Sequence, residues 1–170
     1  MTAEARRVAL ETGAVTVIEC WGDAGPAILC VHDAGGSRGD FARLGASLAS
    51  THRVFAYDQR GHGDAETAGP RALDVLGADL RAVADSIGTV AAVVGHAWGG
   101  AVALVAGPKI ARTLVLIDPT LTAAPGSFEH GADGWDLRAR LDALKRPPVL
   151  LSAGDEPDRF AEAVRDAVPA

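Results

Sequence analysis

The sequence lacks any run of lysine or arginine. Its 16 basic residues are outnumbered by 22 acidic ones, which gives a formal net charge of −6 at pH 7. Proteins that bind nucleic acid use clustered positive charge to displace counterions from the phosphate backbone. We therefore expect no basic patch and no nucleic-acid surface on this chain.

Long apolar segments are also missing. The longest apolar runs have the length of a strand and are broken by glycine, so we expect no membrane span. The opening residues MTAEARRVALETG lack the apolar core and cleavage site of a signal peptide. The only cysteines are Cys20 and Cys30, which we expect to be reduced and buried. These absences predict a soluble, cytoplasmic protein.

The composition is otherwise that of a globular chain, with 48% hydrophobic residues in a length of 170. Residues 1–170 fit a single domain, because no linker, repeat or low-complexity tract interrupts them. Short apolar runs alternate with segments of helical periodicity, a pattern typical of α/β proteins. The predicted strands are Arg6–Leu10, Ala14–Cys20, Ala27–Val31, Arg53–Tyr57, Val90–Val94, Thr113–Ile117 and Val149–Ser152. The predicted helices are Asp40–Ser50 with Asp40 as N-cap, Ala72–Ile87, Trp98–Ala106, Asp136–Leu144 and Asp158–Val168.

Four blocks next to predicted strands carry a family resemblance. They read HDAGG at residues 32–36, DQRGHG at 58–63, GHAWG at 95–99 and PPVLLSAGDEPD at 147–158. In this order and spacing the chain resembles the α/β-hydrolase superfamily. The resemblance implies a doubly wound, mostly parallel sheet. It also implies that the family's last strand is missing and that its cap is reduced to residues 118–135.

The block GHAWG resembles the family's nucleophile elbow, G-x-S-x-G, except that Ala97 stands in place of the serine. A methyl group cannot attack a carbonyl, so acyl transfer through this position is excluded. The resemblance implies that the N–H groups of Trp98 and Ala34 would stabilise an oxyanion. It places His32 and His96 at the pocket. Asp33 would repel an oxyanion if its carboxylate faced inward.

The other catalytic groups are ambiguous or absent by the same resemblance. The acid's usual position holds Pro157, which leaves Asp158 as the first candidate and Asp155 as the second. None of the five histidines occupies the position of the family's general base. His130, in the segment SFEHGADGW, is the one that could approach the elbow.

Two functions therefore remain open. The chain is a catalytically inactive homologue that binds a small apolar or ester-like ligand, or it is a serine-type esterase in an inactive, Ser→Ala or shortened form. A nucleotide cradle is disfavoured because the glycine spacing fits neither known phosphate-binding loop. We expect no cofactor and no metal, since no histidine and carboxylate cluster has ligand spacing. The apolar edge strand Val149–Ser152 predicts a tendency to form a homodimer.

Overall fold

The computed structural model describes residues 4–11, 13–67, 69–124, 135–152 and 157–170. Nine strands lie among them, seven of which form one sheet. In chain order the strands are β1 (Glu4–Ala9), β2 (Val15–Trp21), β3 (Ala27–Val31), β4 (Arg53–Tyr57), β5 (Val90–His96), β6 (Thr113–Ile117), β7 (Thr122–Ala123), β8 (Trp135–Asp136) and β9 (Val149–Leu151).

The large sheet has the order β1-β2-β4-β3-β5-β6-β9. The pairs β1–β2 and β2–β4 are antiparallel, and the other four pairs of this sheet are parallel. All five residues of β3 are buried, as expected for a central parallel strand covered on both faces. From β3 the chain continues to β4 on one side of it, and from β4 it crosses over to β5 on the other side of β3. The direction of strand progression therefore reverses between the neighbouring strands β3 and β5. Open α/β sheets bind ligands at the carboxyl ends of such a pair.

In the described part of the chain, five α-helices cover the two faces of the sheet. They are α1 (Ala42–Leu48), α2 (Leu73–Ile87), α3 (Trp98–Ala106), α4 (Arg138–Asp142) and α5 (Pro157–Ala167). Buried residues of α2 and α3 form one apolar core with one face of the sheet. Those of α1 and α5 form a second core on the opposite face. The predicted doubly wound, mostly parallel α/β sheet is therefore confirmed.

The prediction of one helix over residues 40–50, capped by Asp40, is wrong. A 3₁₀ turn spans Arg38–Phe41 and α1 follows it, with Ser37 as the N-cap. The Ser37 hydroxyl accepts the Gly39 N–H, and the Asp40 carboxylate accepts the Ser37 N–H at 3.2 Å. This reciprocal capping box moves the start of the turn upstream of the predicted N-cap. The other predicted elements are found with their ends shifted by up to two residues.

The predicted cap, residues 118–135, lies largely outside the described residues. Its described ends form the two-stranded antiparallel pair β7–β8. Cys20 and Cys30 are free thiols, as predicted, since β4 lies between their strands. Cys30 is buried as expected, but the expected burial of Cys20 is wrong, because this residue is only half-buried on β2 near the sheet edge. Leu150 on β9 is 56% exposed, and pairing of this edge with a second copy stays a prediction. No helix among the described residues is long and apolar enough to cross a membrane.

Candidate active site at the nucleophile elbow

Ala97 occupies the apex of a sharp turn between β5 and α3. Its φ of 45° and ψ of −109° lie in a region that non-glycine residues rarely adopt. Two backbone hydrogen bonds hold this conformation: the Ala97 N–H donates to Ile117 O at 2.8 Å, and the Thr120 N–H donates to Ala97 O at 2.9 Å. The strained turn is therefore fixed by its neighbours, a feature that clusters at functional sites.

The glycines on either side of the apex are required by close backbone contacts. A Cβ on Gly95 would lie 2.5 Å from Gly99 O, and a Cβ on Gly99 would lie 2.2 Å from Val31 O. The strand and the helix therefore approach too closely for any side chain at either position. This packing gives the elbow its shape independently of the residue at the apex.

Trp98 follows the apex and begins α3. Its backbone N–H, the candidate oxyanion donor, donates to Asp33 Oδ1 at 3.1 Å. The Asp33 carboxylate thus faces inward, in the orientation that the sequence analysis identified as unfavourable for an oxyanion. The Trp98 ring is buried and packs edge-on against Trp135, with their centroids 5.0 Å apart. Trp98 therefore contributes its N–H and a packing surface near the elbow.

Ala34, the second candidate donor, lies in the loop after β3. Its carbonyl oxygen is hydrogen-bonded by His62 Nε2, which fixes the loop. In the described part of the chain the Ala34 N–H has no hydrogen-bond partner. A bound ligand could therefore use this donor, whereas the Trp98 donor is already engaged.

His32 is a structural residue of the same loop. Its Nε2 accepts the Gln59 N–H at 2.9 Å, so Nδ1 carries the proton and donates to Asp33 O at 2.6 Å. Burial lowers the pKa of His32, and the hydrogen bond to the Asp33 carbonyl partly offsets this effect. Because both ring nitrogens are engaged, His32 positions the loop and cannot act as a general base.

His96 lies on the other face of the sheet from α3, because side chains alternate along β5. It lines a cavity of about 310 Å³ whose apolar walls are Phe41, Leu44, Ile117 and Phe160. The charged residues Asp40 and Arg43 also line this cavity. Within the described residues the His96 ring has no hydrogen-bond partner. His96 therefore belongs to a pocket beside the elbow, formed between α1, α5 and the sheet.

Of the two predicted acids, Asp155 lies outside the described residues. Asp158 lies at the beginning of α5, and its side chain is outside the described part. Sequence reasoning missed Asp118, an exposed residue directly after β6 with a φ of 39°. Its N–H donates to Leu151 O at 3.0 Å, which holds it at the carboxyl edge of the sheet. The sequence signal was an acidic residue directly after a buried parallel strand.

The other described histidines, His52 and His62, do not supply a base at the apex. His52 is buried, and its Nε2 donates to Val168 O at 2.6 Å near the end of α5. The His62 ring packs against His32 and contacts two carbonyl oxygens. His130 lies outside the described residues. Among the described residues no group of three or more histidine, cysteine or acidic side chains could hold a metal ion.

Comparison with known proteins agrees with this geometry. The profile described as the alpha/beta hydrolase family matches residues 28–170. The chain belongs to the alpha/beta hydrolase family. It is 37% identical over 160 residues to a Variovorax paradoxus protein named as the carbamate hydrolase RutD, covering 85% of this chain and 58% of that protein.

A lipase of Mycobacterium tuberculosis, LipV, is 31% identical over 143 residues, with 81% of this chain and 51% of the lipase covered. The chain thus spans about half the length of the curated relatives it matches. The crystal structure of an alpha/beta hydrolase from Sphaerobacter thermophilus superposes with a TM-score of 0.75 at 20% identity, covering 96% of this chain and 89% of that one. This last similarity supports the fold alone.

Proposed function

We propose that this chain is a member of the alpha/beta hydrolase family that binds a small ligand and performs no serine-type acyl transfer at its elbow. The observation that carries the proposal is the hydrogen bond from the Trp98 N–H to the Asp33 carboxylate, beside an apex that holds Ala97. An oxyanion formed here would need the same N–H. One oxyanion donor is typically worth about 3–4 kcal/mol in the transition state.

The Asp33 carboxylate opposes an oxyanion in a second way, through charge. Two negative charges 4 Å apart repel by about 1 kcal/mol in water, and by more at a partly buried site. Asp33 is half-buried, so its repulsion is not fully screened. The loss of the Trp98 donor and the repulsion by Asp33 both raise the free energy of an oxyanion at the elbow.

The cavity beside His96 supports ligand binding. Its volume of about 310 Å³ lies at the lower end of the range for small-molecule sites. Four apolar side chains would contact the body of a ligand, and the His96 imidazole would form one hydrogen bond with it. The pocket therefore suits a small apolar molecule with one polar group, such as a short ester.

The catalytic half of the proposal is tested with short p-nitrophenyl esters. We expect no turnover above buffer from the wild-type chain or from Ala97→Ser, because the Trp98 N–H is engaged by Asp33 and no described histidine serves as a base for the serine. The double variant Ala97→Ser/Asp33→Gly frees the donor, so its rate shows whether Asp33 alone blocks the reaction. Clear turnover by the single variant Ala97→Ser would contradict the proposal.

The binding half is tested by titrating the wild-type chain with p-nitrophenyl butyrate and following NMR chemical shifts. We expect saturable shifts at His96 and Ile117, which line the cavity. His96→Trp fills the cavity and should weaken binding at least about tenfold, which corresponds to about 1.4 kcal/mol. Gly35→Ala is the matched control, because a Cβ there meets nothing within 4 Å. Absence of saturable binding would contradict the ligand-binding part of the proposal.

The alternative is a serine-type acyl hydrolase in an inactive form. It is favoured by relatives named as a carbamate hydrolase and a lipase, and by the retained backbone of the elbow. Activity of Ala97→Ser separates the two functions. A cytoplasmic location is part of our proposal, and the free thiols of Cys20 and Cys30 support it.

A further inference from the structure

The fold brings together four basic residues that are separated in the sequence. Lys109 and Arg112 follow α3, and Lys145 and Arg146 follow α4. These include both lysines of the chain. We call these four residues the basic surface. The expectation of no basic patch is therefore wrong, because these residues form no run in the sequence and meet only in the fold.

The basic surface lines two adjoining cavities. One, of about 440 Å³, is lined by Arg112, Lys145 and Arg146. The other, of about 670 Å³, is lined by Lys109 and Arg112. Both cavities include Arg112, so this residue lies where they meet. Pro108 and Ala111 also line both and supply apolar contact area.

This surface lies at the opposite end of the sheet from the elbow. Thr113, the first residue of β6, and Val90, the first residue of β5, line one of its cavities. The elbow follows His96, the last residue of β5, and its Ala97 N–H donates to Ile117 O at the end of β6. Five residues of a parallel strand at about 3.3 Å each separate the two ends by about 15 Å. The basic surface is therefore not part of the candidate active site.

The four basic side chains lack internal counterions. Within the described residues none of them forms an ion pair or a side-chain hydrogen bond, and all four are exposed. Some other cations of the chain are paired, for example Arg60 with Asp79 and Arg138 with Asp136. Unpaired cations gathered at one place repel one another, although the chain as a whole carries a net charge of −6. A bound anion would relieve this repulsion.

We propose that the basic surface binds a small multivalent oxyanion, either a phosphate ester or a polycarboxylate. The planar guanidinium of Arg112 can hold two oxygens of either group side by side, and the lysines add point charges around it. The concave shape and the apolar contacts of Pro108 and Leu114 fit a small molecule with a carbon body. The proposal is independent of the proposed function of the elbow.

The test is calorimetric titration of the full chain at low ionic strength with inorganic pyrophosphate and, separately, with citrate. We expect saturable binding of at least one probe with a Kd below about 1 mM. Tighter binding of pyrophosphate assigns a phosphate ligand, and tighter binding of citrate assigns a polycarboxylate. Ala97→Ser should bind both probes as the wild type does, because the elbow is remote.

Charge-neutralising variants locate the site. Arg112→Gln and the double variant Lys145→Gln/Arg146→Gln should each weaken binding at least about tenfold, the size expected for lost charged hydrogen bonds. The matched control is Arg140→Gln, since Arg140 is equally exposed on α4 but lines neither cavity. Circular dichroism checks that all variants are folded. Failure of both probes to bind, an equal loss in Arg140→Gln, or binding of duplex DNA alone would overturn the proposal.

Discussion

Two glycine-containing turns at the carboxyl edge of the sheet differ in their side chains: one has a partner for each buried charge, and the other lacks a reactive group at its apex. In the turn of residues 58–63, the buried Asp58 carboxylate accepts the N–H of Arg38 at 2.8 Å and of Asp64 at 2.9 Å, and pairs with the Arg38 guanidinium. Arg60 of the same turn is paired with Asp79. At the elbow the backbone is complete, but the apex carries Ala97 and the Trp98 donor is engaged by a carboxylate.

This difference separates the requirements of folding from those of chemistry. A buried charge without a partner destabilises the folded state, so each buried charge of the turn at residues 58–63 needs its partner. The glycines of the elbow are needed for folding for a steric reason, since the backbone leaves no room for a Cβ. A hydroxyl at position 97 has no comparable role in folding. The molecule can therefore keep the backbone of the elbow without the reactive hydroxyl.

The largest effect is expected from Asp79→Ala. Arg60 and Asp79 are 0% and 1% exposed, and two hydrogen bonds of 2.6 Å join them. Removing the carboxylate leaves a buried guanidinium without its main partner, which costs about 3–5 kcal/mol. Urea denaturation measures the loss as a lower free energy of unfolding.

The control for this variant is Asp85→Ala, an exposed position on the same helix, which should change stability by less than about 0.5 kcal/mol. The double variant Arg60→Met/Asp79→Leu should cost less than Asp79→Ala alone, since it removes both charges. If Asp79→Ala were as stable as the wild type, the stability of the turn would not depend on the Arg60–Asp79 pair.

A smaller effect is expected from Gly99→Ala at the elbow. The added Cβ would lie 2.2 Å from Val31 O and 2.5 Å from His32 O, which are backbone atoms that cannot rotate away. Overpacking of this kind typically costs about 1–3 kcal/mol. The midpoint of thermal unfolding should fall accordingly, whereas Ala97→Ser should leave it nearly unchanged.

Gly35→Ala is the control for this comparison, because it adds the same methyl group in open space. Equal midpoints for Gly99→Ala and Gly35→Ala would mean that the elbow has room to relax. The glycines of the elbow would then not be required for folding, and the contrast with position 97 would not hold.

The sequence predicted the sheet and the elbow because both depend on local patterns. Buried strands read as continuous apolar runs, and the glycines of GHAWG mark a turn without reference to the rest of the chain. The start of α1 was missed because the Ser37 capping box competes with the predicted cap at Asp40. The engagement of the Trp98 N–H could not be predicted in detail, since its partner Asp33 is 65 residues away in the chain. The basic surface was missed for the same reason.

The smallest effect concerns His32 and the pH dependence of stability. Burial lowers the pKa of His32 below its ordinary value of 6.5, and Coulombic repulsion from His62 adds to this, while the hydrogen bond to Asp33 O and the charges of Asp58 and Asp40 act in the opposite direction. The unfolded chain therefore binds a proton at a higher pH than the folded chain. The stability that neutral His32 contributes is fully present above pH 6.5 and is lost as the pH falls from there through the folded pKa.

We therefore expect the free energy of unfolding of the wild type to fall between pH 7 and pH 5, measured by urea denaturation at each pH. His32→Gln can still accept the Gln59 N–H but cannot titrate, so its stability at pH 7 should be lower and its pH dependence shallower. Both variant and wild type keep His52, His62, His96 and His130, so the difference between their slopes isolates position 32. Identical slopes would show that the loop after β3 does not hold its histidine neutral, and that protonation there does not disturb the carbonyl of Asp33.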